Sequence, residues 1–141
     1  NKKNEIYYID SFSQKIKKYT VIEGKMVYQE EIYNFYDGFP DGMCIDTTGN
    51  LWIAIYGEGK IVNLNPNTKE VIREIKFEEK NVTSCTFVGE KLNSLLVTVA
   101  ADKNNLGCVY LVSDLNVNGV FKNKFSNKKI NSKTNYMKSS I

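Results

Sequence analysis

An aspartate at the head of a hydrophobic strand is the residue in this sequence best placed to do chemistry. Residues 39–64 read FPDGMCIDTTGNLWIAIYGEGKIVNL, with Asp41 between Pro40 and Gly42. Pro40 restricts its own backbone angle, and Gly42 lets the chain bend where the strand begins. Asp-Gly is a common turn sequence, so the residues alone favour a turn, and a carboxylate directed at a metal ion is the alternative.

Other polar residues near strand ends have simpler interpretations. Asp10 and Ser11 end the run IYYIDS, and Asp46 opens the segment DTTGN. We predict that all three are turn residues. Thr83 and Ser84 begin the run TSCTFV, where hydroxyl groups are expected to form hydrogen bonds across strands.

Several kinds of catalytic site are disfavoured by composition and spacing. The chain has no histidine, so Ser84 has no imidazole base and a serine hydrolase is disfavoured. Cys44, Cys85 and Cys108 are odd in number and far apart, which argues against a zinc cluster. We predict reduced, buried thiols in a cytoplasmic protein. The segment YGEGK at 56–60 opens no helix, so a phosphate-binding loop is disfavoured there.

The composition is that of an ordinary globular protein. The 141 residues are 42% hydrophobic and 25% charged, and the net charge is +3. This mild excess of lysine is not the concentrated basic face of a nucleic-acid-binding protein. No apolar run approaches the roughly 18 residues that span a membrane. We therefore predict neither a nucleic-acid nor a membrane partner.

A repeat of about 45 residues organises the chain. The runs IYYID, LWIAIY and LLVTVA start at residues 6, 51 and 95, and a second strand pattern follows each. The middle repeat reads as four short strands, GMCID, LWIAIY, KIVNLN and VIREIKF, separated by turn formers. Four antiparallel strands in about 45 residues is the pattern of a β-propeller blade. We predict an all-β chain with about three such blades and no helix.

Three blades are too few to close a ring, because propellers have about four to eight. A partial ring leaves two apolar blade faces in water, so the chain is expected either to be a fragment or to associate with itself. We assign residues 1–122 to the partial propeller. Residues 123–141, rich in Lys, Asn and Ser, are predicted to form a disordered polar tail.

The motifs resemble one family closely. IYYIDS, PDGMCIDTTGNLWIAIYGEGKIVNLNP, TSCTF and LLVTVA are similar to segments of the regucalcin, gluconolactonase and luciferin-regenerating enzyme family. The resemblance runs with gaps from about residue 6 to 121 and corresponds to the C-terminal half of such a protein. It implies a six-bladed propeller with one divalent cation, calcium, zinc or manganese, in its central channel.

The resemblance assigns Asp41 as a ligand of that cation and as the catalytic residue. The family's two other ligands, an asparagine of an Asn-Gly motif and a glutamate, would lie upstream of residue 1. Calcium takes six to eight oxygens and one carboxylate supplies at most two, so binding by this chain alone is expected to be weak or absent. The residues that contact the substrate cannot be assigned.

Two functions therefore remain open. The first is an incomplete, metal-dependent lactonase that acts on sugar lactones and binds calcium, as the resemblance implies. The second is a non-catalytic, degenerate propeller fragment whose exposed blade faces bind a partner or a second copy.

Overall fold

The computed structural model describes residues 4–103 and 106–121, and the predicted polar tail lies outside these residues. The described strands are, in chain order, β1 (Glu5–Asp10), β2 (Lys15–Ile22), β3 (Lys25–Asn34), β4 (Phe39–Ile45), β5 (Leu51–Tyr56), β6 (Lys60–Asn65), β7 (Glu70–Lys76), β8 (Val82–Val88), β9 (Ser94–Val99) and β10 (Cys108–Val112). No helix occurs among the described residues, as predicted. This part of the chain therefore contains no helix that could cross a membrane.

The strands form three antiparallel sheets that follow one another along the chain. The first sheet is β1-β2-β3, the middle sheet is β4-β5-β6-β7, and the third sheet is β8-β9-β10. Each sheet is a meander, in which successive strands are neighbours. The predicted all-β partial propeller is confirmed, and the middle sheet has the full four strands of a blade.

The middle sheet is buried on both faces, which explains why its strands are continuously hydrophobic. Five of the six residues of β5 are buried, because alternate side chains pack against different neighbouring sheets. One core lies towards the first sheet and includes Ile16, Ile53 and Val62. The other lies towards the third sheet and includes Trp52 and Val97.

Strand β3 is a structural element that the sequence analysis did not identify. Its sequence, KMVYQEEIYN, is largely exposed, and its register against β2 shifts twice, so no regular alternation is visible. The sequence feature that could have indicated β3 is the dipeptide Glu23-Gly24, which forms the turn between β2 and β3. Both of its residues have positive φ, 50° and 76°, as a tight two-residue hairpin requires.

The edge strands define an inner and an outer side of the arrangement. Strand β4 is the first strand of the middle sheet, and it packs beside β8, the first strand of the third sheet. Strand β7, at the opposite edge of the middle sheet, is almost wholly exposed. We therefore call β4 and β8 the inner strands.

Candidate functional site

Asp41 lies near the beginning of inner strand β4, and close contacts hold the preceding loop in place. The Gln14 side chain donates a hydrogen bond of 2.7 Å to the carbonyl of Gly38. Gly38 has a φ of 67°, and a Cβ there would lie 2.7 Å from side-chain atoms of both Ile55 and Glu58. Only glycine fits this position, and it brings the chain against the end of β5.

A β-bulge then sets the direction of the Asp41 side chain. The register of β4 against β5 shifts between Pro40 and Met43, so Asp41 and Gly42 together lie opposite Ala54. Bulges commonly re-aim a side chain away from the regular alternation of a strand. Strand β8 has a matching shift between Val82 and Ser84, as expected for two copies of one repeat.

The Asp41 carboxylate is exposed and has no hydrogen-bond partner in the part of the chain that the structure describes. It forms no hydrogen bond or ion pair within residues 4–103 and 106–121. Partial burial raises its pKa above 3.8, because desolvation disfavours the charged form. A carboxylate without a donor keeps its lone pairs available for a cation.

A shallow pocket of about 300 Å³ opens beside Asp41. It is lined by Ser11, Phe12, Phe39, Pro40, Asp41 and Tyr56. The sequence analysis did not identify the three aromatic residues. Phe39 and Tyr56 are paired residues of β4 and β5, whereas Phe12 comes from the turn between β1 and β2, so no spacing in the sequence indicates that it meets them.

A complete metal site is not present in the described residues. No group of three or more His, Cys, Asp or Glu residues lies close enough together there to hold a metal ion. Asp41 therefore fits a cation as one oxygen ligand, and the other ligands have to come from elsewhere.

Asp46 is a structural residue, as predicted. Its Oδ1 accepts hydrogen bonds from the backbone N–H and the hydroxyl of Thr48, at 2.9 and 2.6 Å, and from the Asn50 N–H at 3.0 Å. Its Oδ2 accepts the Trp52 indole N–H at 2.8 Å. These bonds close the turn between β4 and β5 and tie it to the core.

The other predicted turn and strand residues also behave as expected. Asp10 accepts a hydrogen bond from the Ser13 N–H and pairs with Lys17 at 2.9 Å, within the turn after β1. Thr83 donates across the sheet to the Thr98 carbonyl at 3.0 Å. The segment at 56–60 is a turn between β5 and β6.

The cysteines are free thiols, but they are not equally buried. Cys85 is buried, whereas Cys44 and Cys108 are half-buried. The prediction of reduced thiols is confirmed, and that of uniform burial is wrong. Cys85 lies inside the core between the middle and third sheets, whereas Cys44 and Cys108 pack at the margin of that core.

A larger cleft lies away from Asp41. Its volume is about 630 Å³, and it opens between the first and middle sheets. Glu5, Tyr7 and Lys18 line one wall, while Cys44 and Thr47 lie on the other. Lys18 and Glu5 form an ion pair of 3.0 Å, which leaves little free charge to recruit a ligand.

Comparisons with known proteins agree on one family. Residues 1–101 match the family model described as the SMP-30/Gluconolactonase/LRE-like region. Regucalcin of Xenopus laevis is 33% identical over 134 residues, which cover 86% of this chain and 45% of the regucalcin. YvrE of Bacillus subtilis, named as a proposed sugar lactone lactonase, is 38% identical over 72% of this chain and 36% of its own length.

Solved structures support the fold. A luciferin-regenerating enzyme superposes with a TM-score of 0.77 at 30% identity, over 85% of this chain and 44% of that enzyme. A calcium-binding protein, regucalcin, from Agrobacterium tumefaciens superposes with a TM-score of 0.71 at 21% identity. The chain thus spans less than half the length of the relatives that it matches.

Proposed function

This chain belongs to the SMP-30/gluconolactonase/LRE-like family, and from that premise we propose that it contributes part of the active site of a divalent-metal-dependent sugar lactonase. The observation that carries the proposal is the Asp41 carboxylate, which is exposed on an inner strand and has no partner among the described residues. A structural aspartate such as Asp46 is instead surrounded by donors.

The role proposed for Asp41 is to bind a divalent cation, calcium, zinc or manganese. Such a cation would supply Lewis-acid polarisation of the lactone carbonyl. The bulge at Asp41 and Gly42 orients the carboxylate, and the Gly38 contacts limit its movement. The remaining ligands would come from residues outside the described ones, because the described part of the chain supplies only an incomplete site.

The pocket beside Asp41 is the proposed place for a small sugar lactone. Phe39 and Tyr56 offer partly exposed ring faces, and Ser11 offers a hydroxyl group. Ligand sites typically combine apolar and aromatic walls with a few polar groups that fix orientation. The location proposed for this enzyme is the cytoplasm, because free thiols are typical of reducing compartments.

Titration with calcium and manganese tests the role of Asp41. These hard cations prefer oxygen ligands, whereas zinc would also bind the cysteine thiols. We expect dissociation constants weaker than about 10⁻⁴ M, the range of low-affinity calcium sites. Manganese should broaden the amide NMR signals of Gly42 and Met43 first, because it is paramagnetic and would bind next to them.

The matched variants are Asp41→Asn and Asp37→Asn. Both remove one exposed carboxylate from the same part of the chain, but Asp37 is outside the pocket that contains Asp41. We expect Asp41→Asn to abolish the manganese effect and any hydrolysis of gluconolactone above the buffer rate. Equal binding by Asp41→Asn and the unmodified chain would contradict the proposal, as would submicromolar affinity.

A second candidate function rests on the two outermost sheet faces. Tyr28 on the first sheet is 55% exposed and Leu111 on the third is 67% exposed. Such faces are apolar surfaces that commonly mark an interaction site. In this alternative, the chain is a non-catalytic module that binds a partner or a second copy of itself.

A further inference from the structure

Two cysteines from neighbouring sheets lie in direct contact. The sulfur atoms of Cys44, on inner strand β4, and Cys85, on inner strand β8, are 3.7 Å apart. The residues are 41 positions apart in sequence. They occupy corresponding places in successive repeats, so the propeller geometry itself brings them together.

The contact depends on an unusually close approach of the two inner strands. A Cβ on Gly42 would lie 2.8 Å from the Cα of Ser84, which shows that the backbones nearly touch there. Cys85 is held further by its thiol, which contacts the Trp52 carbonyl at 3.2 Å. The two sulfurs are therefore positioned by backbone packing as well as by side-chain rotation.

The two thiols differ in access. Cys44 is half-buried on edge strand β4, whereas Cys85 is 5% exposed. The hydrogen bond with Cys44, followed by burial, raises the pKa of the Cys85 thiol. An oxidant from solvent would therefore meet Cys44 before Cys85.

We propose that Cys44 and Cys85 form an oxidisable pair that a two-electron oxidant, hydrogen peroxide, converts into a disulfide between β4 and β8. A disulfide requires the sulfurs to approach to about 2.05 Å, which from contact distance needs only small side-chain rotations. The pair is thus a redox modification site, separate from the proposed cation site.

The chemistry balances in two steps. The Cys44 sulfur attacks peroxide, the O–O bond breaks, and Cys44 becomes a sulfenic acid as one water leaves. The Cys85 sulfur then attacks the Cys44 sulfur, so that the S–S bond forms and the S–O bond breaks. The proton of the Cys85 thiol leaves with that oxygen as a second water. The two thiols lose two electrons in total, and a dithiol reductant reverses the change.

The disulfide would join strands that no described hydrogen-bond ladder connects. Strands β4 and β8 belong to different sheets, so packing couples them without hydrogen-bonded strand pairing. Because Cys44 lies three residues after Asp41 on β4, the cross-link would also restrain the strand that carries the candidate ligand. Reduced and oxidised chains should therefore differ in thermal stability.

Peptide mapping of the folded 141-residue chain tests the proposal. The chain is treated with hydrogen peroxide at low protein concentration, blocked with iodoacetamide and digested with trypsin without reduction. Before blocking, we expect an intact mass lower by two hydrogens, and after digestion a linked pair of peptides covering residues 26–60 and 81–91. Dithiothreitol should restore the mass, and the oxidised chain should have the higher melting temperature.

The matched control is Cys108→Ser, because Cys108 is the third free thiol and lies on β10. This variant should form the same cross-link at the same rate. Cys44→Ser and Cys85→Ser should each abolish it. In denaturant, the preference for the Cys44–Cys85 pair should disappear, since only the folded chain places these sulfurs together.

Three results would overturn the proposal. The first is a disulfide that involves Cys108 in the folded chain. The second is oxidation of Cys44 to sulfinic or sulfonic acid without any cross-link. The third is an unchanged mass after peroxide treatment under conditions in which the denatured chain becomes oxidised. None of these measurements depends on lactonase activity or on a bound cation.

Discussion

Two aspartates five residues apart illustrate how differently one residue type is used in this chain. Asp46 is 2% exposed and accepts four hydrogen bonds, one of them from the Trp52 indole. Asp41 is exposed and accepts none within the described residues. A buried carboxylate with a full set of donors maintains the fold, whereas one without donors is free to bind a ligand.

Replacing Asp46 should strongly destabilise the fold. Asp46→Ala leaves the buried Trp52 N–H and two turn N–H groups without acceptors. Losses of this kind cost about 1–3 kcal/mol for each unsatisfied buried group, so we expect a total of about 3 kcal/mol. Urea unfolding, monitored by tryptophan fluorescence, measures this loss in the free energy of unfolding. Asp37→Ala, at an exposed site, should change stability by less than about 0.5 kcal/mol.

Asp41 should oppose folding slightly at neutral pH. Its pKa in the folded chain is raised above 3.8 by burial, so the folded state binds its proton more tightly than the unfolded state does. The penalty is absent below the unfolded pKa, and it develops as pH rises through the folded pKa. Asp41→Asn should therefore be as stable as the unmodified chain at pH 3 and equally or slightly more stable at pH 7.

Urea midpoints at the two pH values measure this difference. A clear loss of stability in Asp41→Asn at pH 7 would show that the carboxylate makes favourable contacts in the folded chain. Adding manganese should reverse the order, because only the chain with an intact carboxylate gains stability from the cation.

At the scale of elements, hydrophobic runs bounded by turn formers identified most strands. Strands β5, β6, β8 and β9 are strongly apolar and were identified by their sequences. Strand β3 was not identified, because an outer strand with exposed charges and a shifted register has no clear two-residue alternation. Sequence patterns report burial, and an element that is little buried has a weak pattern.

The contact between inner strands gives a prediction at this scale. Gly42→Ala places a methyl group against the Ser84 side chain and 2.8 Å from its Cα. Overpacking of this kind typically costs about 1–3 kcal/mol. Adding Ser84→Gly removes part of the clash and should recover part of the loss in urea unfolding. A Gly42→Ala chain as stable as the unmodified one would show that β8 moves away freely.

At the scale of the whole molecule, three sheets leave two faces without a neighbouring sheet. On the first sheet, Tyr8, Tyr19 and Tyr28 form an edge-to-face row, with ring centroids 6.2 and 5.7 Å apart. On the third sheet, Val109 and Leu111 point away from the core that Tyr110 contacts. In a closed propeller, each sheet would be covered on both sides.

We expect the isolated chain to self-associate through these faces. Size-exclusion chromatography with light scattering should show a dimer or larger species. Leu111→Glu should shift the population towards the monomer, because a carboxylate disfavours burial of the third sheet's outer face. The matched control is Ile72→Glu, on exposed strand β7, which should have little effect. A well-folded monomer at high concentration, or equal effects of both variants, would contradict this prediction.

The sequence by itself determined the all-β class, the repeat and the family. Burial of the middle sheet on both sides requires continuous hydrophobic runs, and the turns between its strands require turn-forming residues, so both features are visible in the sequence. It also singled out Asp41, since Pro40 and Gly42 flank it in a recognisable motif. Only the tertiary structure decided which side chains meet. Spacing in the chain does not specify the distance between Cys44 and Cys85, or the approach of Phe12 to the paired Phe39 and Tyr56, because separate sheets contribute these contacts once they pack together.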